Sequence, residues 1–142
     1  MLAHEELTGK IIAAAIQVHR TLGPGFIESV YEEAVVLELR RRGLSVQQQV
    51  EIHVLYEGVR VGRHILDLII GDTIVVELKA VKDLDAVHFA VVRSYLRASG
   101  KQHGLLLNFA KTKLEIKRVI CTQRPEEGPL RNPGMEEARK GM

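Results

Sequence analysis

Ile65-Leu66-Asp67-Leu68-Ile69-Ile70-Gly71-Asp72-Thr73-Ile74-Val75-Val76-Glu77-Leu78-Lys79 decides the fold of this chain. Two apolar runs rich in β-branched residues flank a Gly-Asp turn, which reads as two antiparallel strands joined by a tight connection. By simple alternation, Ile65, Asp67 and Ile69 share one face of the first strand and Leu66, Leu68 and Ile70 the other. Both faces are apolar, so Asp67 is expected to have little water around it. A carboxylate buried in this way costs several kcal/mol unless something compensates it. A pairing register centred on the turn sets Asp67 opposite residue 76, give or take one. Asp67 then lies near Glu77, and Lys79 shares the face of Glu77.

Two carboxylates and a lysine converging between adjacent strands suit a divalent metal beside a phosphate. Magnesium and manganese favour oxygen ligands, and magnesium keeps several waters. Such an ion acidifies a bound water and offsets phosphate charge. Lys79 is placed to orient that water or to stabilise developing negative charge. The plainer alternative makes Glu77 and Lys79 a solvated strand end and Asp67 a hydrogen-bonded core residue.

Outward from this hairpin, Leu7–Leu22 reads as a helix capped by Thr8 and stopped at Gly23-Pro24-Gly25, with Ile12, Ile16 and His19 on one stripe. A second helix is expected from Ile27 to Arg42, with Ile27, Val30, Tyr31, Ala34, Leu37 and Leu39 on its apolar side and Gly43 closing it. The period then becomes two. Val46, Gln48, Val50, Ile52 and Val54 alternate with polar residues up to Tyr56, and Glu57-Gly58 is a hairpin turn into the Asp67 strand. A third helix spans Leu84–Ala98, with Ala86, Phe89, Ala90, Tyr95 and Leu96 in register. A strand at Gly104–Phe109 and another at Leu114–Cys121 follow. This order implies a mixed α/β sheet with helices on both faces, the third helix crossing over between two parallel strands. Residues 1–121 are expected to form one domain and residues 122–142 a flexible C-terminal tail, which carries three of the four prolines.

Composition narrows the function further. The chain has 142 residues, 46% hydrophobic content and a net charge of +2. Mild basicity is compatible with nucleic acid. The single cysteine, Cys121, rules out a disulfide framework within one chain and favours a reducing, cytoplasmic compartment. No signal peptide and no membrane span are expected. With 4% aromatic content and no Trp, a base-stacking platform is poorly supported. The histidines lack zinc spacing, and Gly23-Pro24-Gly25 lacks the residues of a phosphate loop. Arg60, Arg63, Lys82, Arg93 and Arg97 are candidates for a phosphate-binding rim.

Asp67 followed by Glu77-x-Lys79 after a hairpin, with a Glu-bearing helix upstream, resembles the PD-(D/E)xK nuclease superfamily and its restriction-endonuclease-like sandwich. Gly25-Phe26-Ile27-Glu28-Ser29-Val30-Tyr31 resembles the naming motif of the small GxxExxY family. The preceding Val18–Gly25 segment, Glu77–Ala80 and Gly104–Phe109 are similar to that family too. The resemblance spans about Leu7 to Cys121. It implies a magnesium- or manganese-dependent phosphodiesterase acting on DNA or RNA. Glu28, Asp67 and Glu77 would hold the metal and Lys79 would assist the attacking water, with His19, Tyr31 and Tyr95 as site-lining residues. The chain departs from the family at Val91, where related sequences often carry a glutamine one turn before the tyrosine. That departure keeps alive a nuclease-fold binding or regulatory module without turnover. A homo-oligomer or a partner protein providing specificity is a further possibility.

Overall fold

The structure, a computed structural model, describes residues 4–122. Two helices, α1 (His4–Leu22) and α2 (Glu28–Arg41), precede a meander of three strands, β1 (Val46–Tyr56), β2 (Val59–Ile70) and β3 (Ile74–Lys79). Helix α3 (Ala86–Ser99) then crosses to β4 (His103–Asn108), and β5 (Glu115–Ile120) completes the sheet. The strand order is β1-β2-β3-β4-β5. All neighbours are antiparallel except β3 and β4, which run parallel as the α3 crossover requires. Apart from Thr122, the segment expected to be a tail lies outside the described residues.

The sheet separates two cores. On one face, α1 and α2 cover Leu68, Ile70, Ile74, Val76, Leu78, Leu105, Leu107 and Phe109. On the other, α3 covers a smaller cluster of Leu66, Ile69, Val75, Leu106 and Val119, with Val92 and Leu96 pointing down from the helix. Gly104 lets α3 approach closely, since a β-carbon there would lie 3.1 Å from Val92 Cγ1.

Local chemistry explains most boundaries. Glu57 and Gly58 both have positive φ, as a two-residue hairpin turn matched to strand twist demands. Asp85 and His88 form a reciprocal capping box on α3, and Gly100 ends it in the left-handed conformation. At Gly71 a β-carbon would lie 2.9 Å from the Leu7 side chain, so this turn needs glycine for both its φ of 58° and its packing under α1.

Four expectations need correction. Helix α1 starts at His4, not Leu7, and Thr8 is a buried residue inside it rather than its cap. Helix α2 buries Tyr31, Val35, Val36 and Leu39, while Ile27, Val30 and Leu37 are exposed. The packed face is rotated from the expected one because α1 and the sheet together cover one side of α2, and a helix with apolar residues on several sides leaves that choice to its neighbours. On α3, the buried centre is Val92 with Leu96, whereas Ala86 and Ala90 are exposed.

The most consequential correction concerns alternation in β2. Leu66 packs under α3 with Ile69, whereas Leu68 and Ile70 pack under α1 and α2. Positions of equal parity therefore occupy opposite faces, and the pleat changes phase at Asp67. Strand β1 changes phase with it. Val46 packs on the α1/α2 side and Val50 and Ile52 on the α3 side. Between them Gln49 adopts φ 53°, and the pairing of β1 with β2 skips this residue and Asp67. A non-glycine residue in that region stores about 1–3 kcal/mol, and such strain concentrates at functional sites.

Candidate active site at a fork between strands

Strand β2 pairs with β3 over only three residues, Leu68 with Val76, Ile69 with Val75 and Ile70 with Ile74. Continuing that register would set Asp67 against Glu77, within the margin the turn had indicated. Instead the strands part. Strand β2 continues along β1, while β3 continues along β4 through Glu77–Leu106 and Lys79–Asn108. The Leu78 backbone N–H, left without a strand partner in β2, donates to Asp67 Oδ2 at 3.0 Å. A side chain thus stands where the ladder would have run.

Glu77 lies beside it, on the face covered by α3. Its side chain is only 6% exposed. Oε2 pairs with Lys79 Nζ at 3.4 Å, and Oε1 is buried with no hydrogen-bond partner. Burial pushes the Glu77 carboxyl up to about 8, assisted by its hydrogen bond with Asp67 and by the Asp67 charge, with Lys79 opposing. At neutral pH the Glu77 carboxyl therefore holds its proton. A buried acceptor left unpaired costs about 1–3 kcal/mol, and nothing among the described residues offsets it at Oε1.

The backbone that follows Lys79 is fixed by its neighbours. The register partner of Lys79, Asn108, is fully buried and fully used. The Asn108 amide donates to Val81 O at 2.8 Å and to Glu115 Oε1 at 3.2 Å. Its carbonyl accepts from Val81 N at 3.1 Å and Ala110 N at 3.3 Å. These bonds fix the exit of β3 just beyond the lysine.

Tyr95 comes to the site from α3. Its hydroxyl is pushed up to about 12 by burial, then by the charges of Glu77 and Asp67, so it stays protonated as a donor. His64 meets its ring edge-on at 4.7 Å and lies 3.2 Å from Ser94 Oγ, with burial lowering the imidazole. No sequence signal had singled out His64.

The remaining candidates sit elsewhere. Glu28, at the start of α2, accepts from Ala80 N at 3.3 Å, next to where β3 ends. It does not join Asp67 and Glu77 in a closed cage: among the described residues no group of three His, Cys, Asp or Glu is arranged to hold a metal ion. Tyr31 and His19 lie on the α1/α2 side. The Tyr31 hydroxyl donates to Gly23 O at 2.6 Å and accepts from Phe26 N at 3.1 Å, while its ring stacks on Phe109. Tyr31 thereby pins the loop that launches α2 and Glu28. His19 Nε2 lies 2.8 Å from Lys111 O, tying α1 to the β4–β5 loop. Arg60 and Arg63 both reach Glu51 Oε1 at 3.4 Å, on the exposed part of the hairpin arm.

Sequence reasoning also passed over Gln49 and Glu32. Gln49 Nε2 donates to both Glu32 oxygens at 2.9 Å and approaches Asp67 Oδ1 at 3.5 Å. The pattern of alternating glutamines disguised this, because regular alternation would aim Gln49 away from α2.

Residues 5–119 match the PD-(D/E)XK nuclease superfamily. The chain belongs to that superfamily. Two solved structures share its fold at low identity. One is described as SSO0001, 16% identical with a TM-score of 0.55, the match covering 69% of this chain and 52% of the other. The second is an alkaline exonuclease from Laribacter hongkongensis, 14% identical with a TM-score of 0.51, covering 78% of this chain and 68% of the exonuclease. This chain therefore spans about half the length of the first. No curated protein matches the chain. The architecture is the restriction-endonuclease-like sandwich of this superfamily. Among the described residues no helix is long and apolar enough to cross a membrane.

Proposed function

We propose that this chain is a magnesium- or manganese-dependent phosphodiesterase acting on DNA or RNA, of the GxxExxY kind within its superfamily. The observation that carries the reading is the orphaned Oε1 of Glu77, buried beside Asp67 at the mouth of the strand fork. Two carboxylates fit a magnesium-type ion, which is held by one or two carboxylates plus substrate phosphates rather than by an all-protein cage. That fit accommodates the lack of a third ligating side chain. When bound, the ion would acidify a water and offset charge on the scissile phosphate.

The chain's own groups have distinct tasks. Asp67, with Oδ2 anchored on Leu78 N, would be one of the carboxylates to hold the ion. Glu77, its Oε1 buried without a partner, would be the second carboxylate to hold it. Lys79, paired with Glu77, would hold the attacking water or the developing charge on phosphate oxygen, on a strand whose exit Asn108 fixes. Tyr95 remains a hydrogen-bond donor at the rim. Glu28, accepting from Ala80 N where β3 ends, would supply a further carboxylate at the edge of the site.

Incubation of the purified chain with magnesium or manganese and a panel of single- and double-stranded DNA and RNA tests this. Cleavage that requires the metal and is lost in Glu77→Ala and Lys79→Ala supports the reading. Absence of both cleavage and metal binding by calorimetry would sink it. A second reading, a nuclease-fold module that binds nucleic acid without turnover, draws on Val91, an apolar residue one turn before Tyr95. Binding without cleavage, indifferent to Lys79→Ala, would favour that module.

A further inference from the structure

Gln48 and Gln49 are consecutive strand residues, yet both side chains reach the same carboxylate. Gln48 Nε2 donates to Glu32 Oε2 at 2.6 Å, and Gln49 Nε2 donates to both Glu32 oxygens at 2.9 Å. Consecutive side chains on a regular strand point to opposite faces. The left-handed φ of 53° at Gln49 swings its side chain onto the side of its predecessor. This occurs directly across from Asp67, at the step where both strands change phase. The second hydrogen of the same amide points to Asp67 Oδ1 at 3.5 Å. Asp67 Oδ2 is already taken by Leu78 N.

We propose that Gln49 is a positioning residue for Asp67, its amide braced by Glu32 and setting the plane of the Asp67 carboxylate at the strand fork. Asp67 is then held from both sides, by the Leu78 amide of β3 and by the Gln49 amide of β1. Glu32, on α2, ties this support to the helix whose first turn carries Glu28. The unfavourable backbone conformation is retained because a relaxed strand would turn the amide away from both acids. The inference rests on the metal-dependent reading of the site. Groups that orient a ligating carboxylate from behind typically govern 10- to 100-fold in metal affinity or activity.

Gln49→Gly tests it, since glycine tolerates positive φ and removes the side chain without adding backbone strain. Manganese binding by calorimetry and kcat and KM on the cleaved substrate are measured for the full chain, Gln49→Gly, Glu32→Ala, Glu77→Ala and the exposed control Gln47→Ala. The expected result is a roughly 10- to 100-fold loss of manganese affinity in Gln49→Gly. Its kcat should fall with KM little changed, and its thermal midpoint should stay at or above that of the parent. Glu32→Ala should shift affinity in the same direction by less, and Gln47→Ala not at all. Manganese affinity and kcat unchanged in Gln49→Gly would overturn the proposal. So would losses that merely follow a fall in thermal midpoint across Gln49→Gly, Glu32→Ala and Gln47→Ala alike. If the parent chain binds manganese no better than Glu77→Ala, the metal-dependent reading itself has failed, and this inference falls with it.

Discussion

The two faces of the sheet do different work. The α1/α2 face is a continuous apolar core in which Leu, Ile and Val meet two helices and the aromatic pair Tyr31 and Phe109. The α3 face is smaller, and at its edge it tolerates a nearly buried glutamate with an orphaned oxygen, a lysine, and a tyrosine pushed up by burial and then by the charges of Glu77 and Asp67. One face holds the fold. The other uses that stability to keep Asp67 and Glu77 in an arrangement that is unfavourable by itself. The lesson is that a destabilised site is affordable on the minor face of a sheet whose major face is fully packed.

This contrast can be broken by truncating each core. Leu107→Ala on the α1/α2 face should cost about 2–5 kcal/mol in denaturant unfolding. Leu96→Ala on the α3 face should fall toward the lower end of that range. In addition, it should disturb the site, because Leu96 follows Tyr95 directly on α3. If both variants lose equal stability and neither touches the site, the division of labour is wrong.

Next in size is the pH dependence of Glu77. Its carboxyl is raised from 4.5 to about 8 in the folded state, so between those values the folded chain holds a proton that the unfolded chain has released. Stability therefore falls as pH rises through this window, by an amount on the order of 5 kcal/mol at most. Glu77→Gln should flatten the profile and be more stable than the parent above pH 8. A profile that rises across this window would refute the burial argument. Under the metal-dependent reading, adding manganese at pH 7 should release protons, measurable as a buffer-dependent heat.

Asn108→Ala sharpens the comparison at the boundary between fold and site. It strands the Val81 N–H and C=O and one Glu115 oxygen, and should cost about 1–3 kcal/mol. If the chain cleaves nucleic acid as proposed, cleavage should drop beyond what the loss of folded protein explains, because the Lys79 exit loses its anchor. The smallest effect belongs to the hairpin arm. Arg60→Ala should change stability by no more than about 0.5 kcal/mol, since exposed pairs such as its contact with Glu51 contribute little. Any effect it has should appear as a weaker salt dependence of nucleic-acid binding.

Much of the fold was legible from local rules. The strand order, the parallel β3–β4 pair and the turns at Glu57-Gly58 and Gly71-Asp72 follow from period-two patterning, turn chemistry and the length of the α3 crossover. So did the proximity of Asp67 and Glu77, because a short turn fixes register within about one residue. The buried face of α2 was not legible. Ile27, Val30 and Leu37 are as apolar as Val35 and Val36, and only the position of α1 and the sheet decides which stripe is covered.

The sequence by itself determined the elements, their order and the near coincidence of two acids and a lysine, because each depends on neighbours a few residues apart. Tertiary structure alone decided how those groups are aimed. The phase change at Asp67 needs Gln49 of the adjacent strand to leave the β region at the same step, and Glu32 of another layer to receive its amide. The shift of Glu77 needs α3 to exclude water from a side chain that the pattern alone would have left at a strand end. Both are effects between segments distant in sequence, and burial and strain of that kind exist only once the layers have packed.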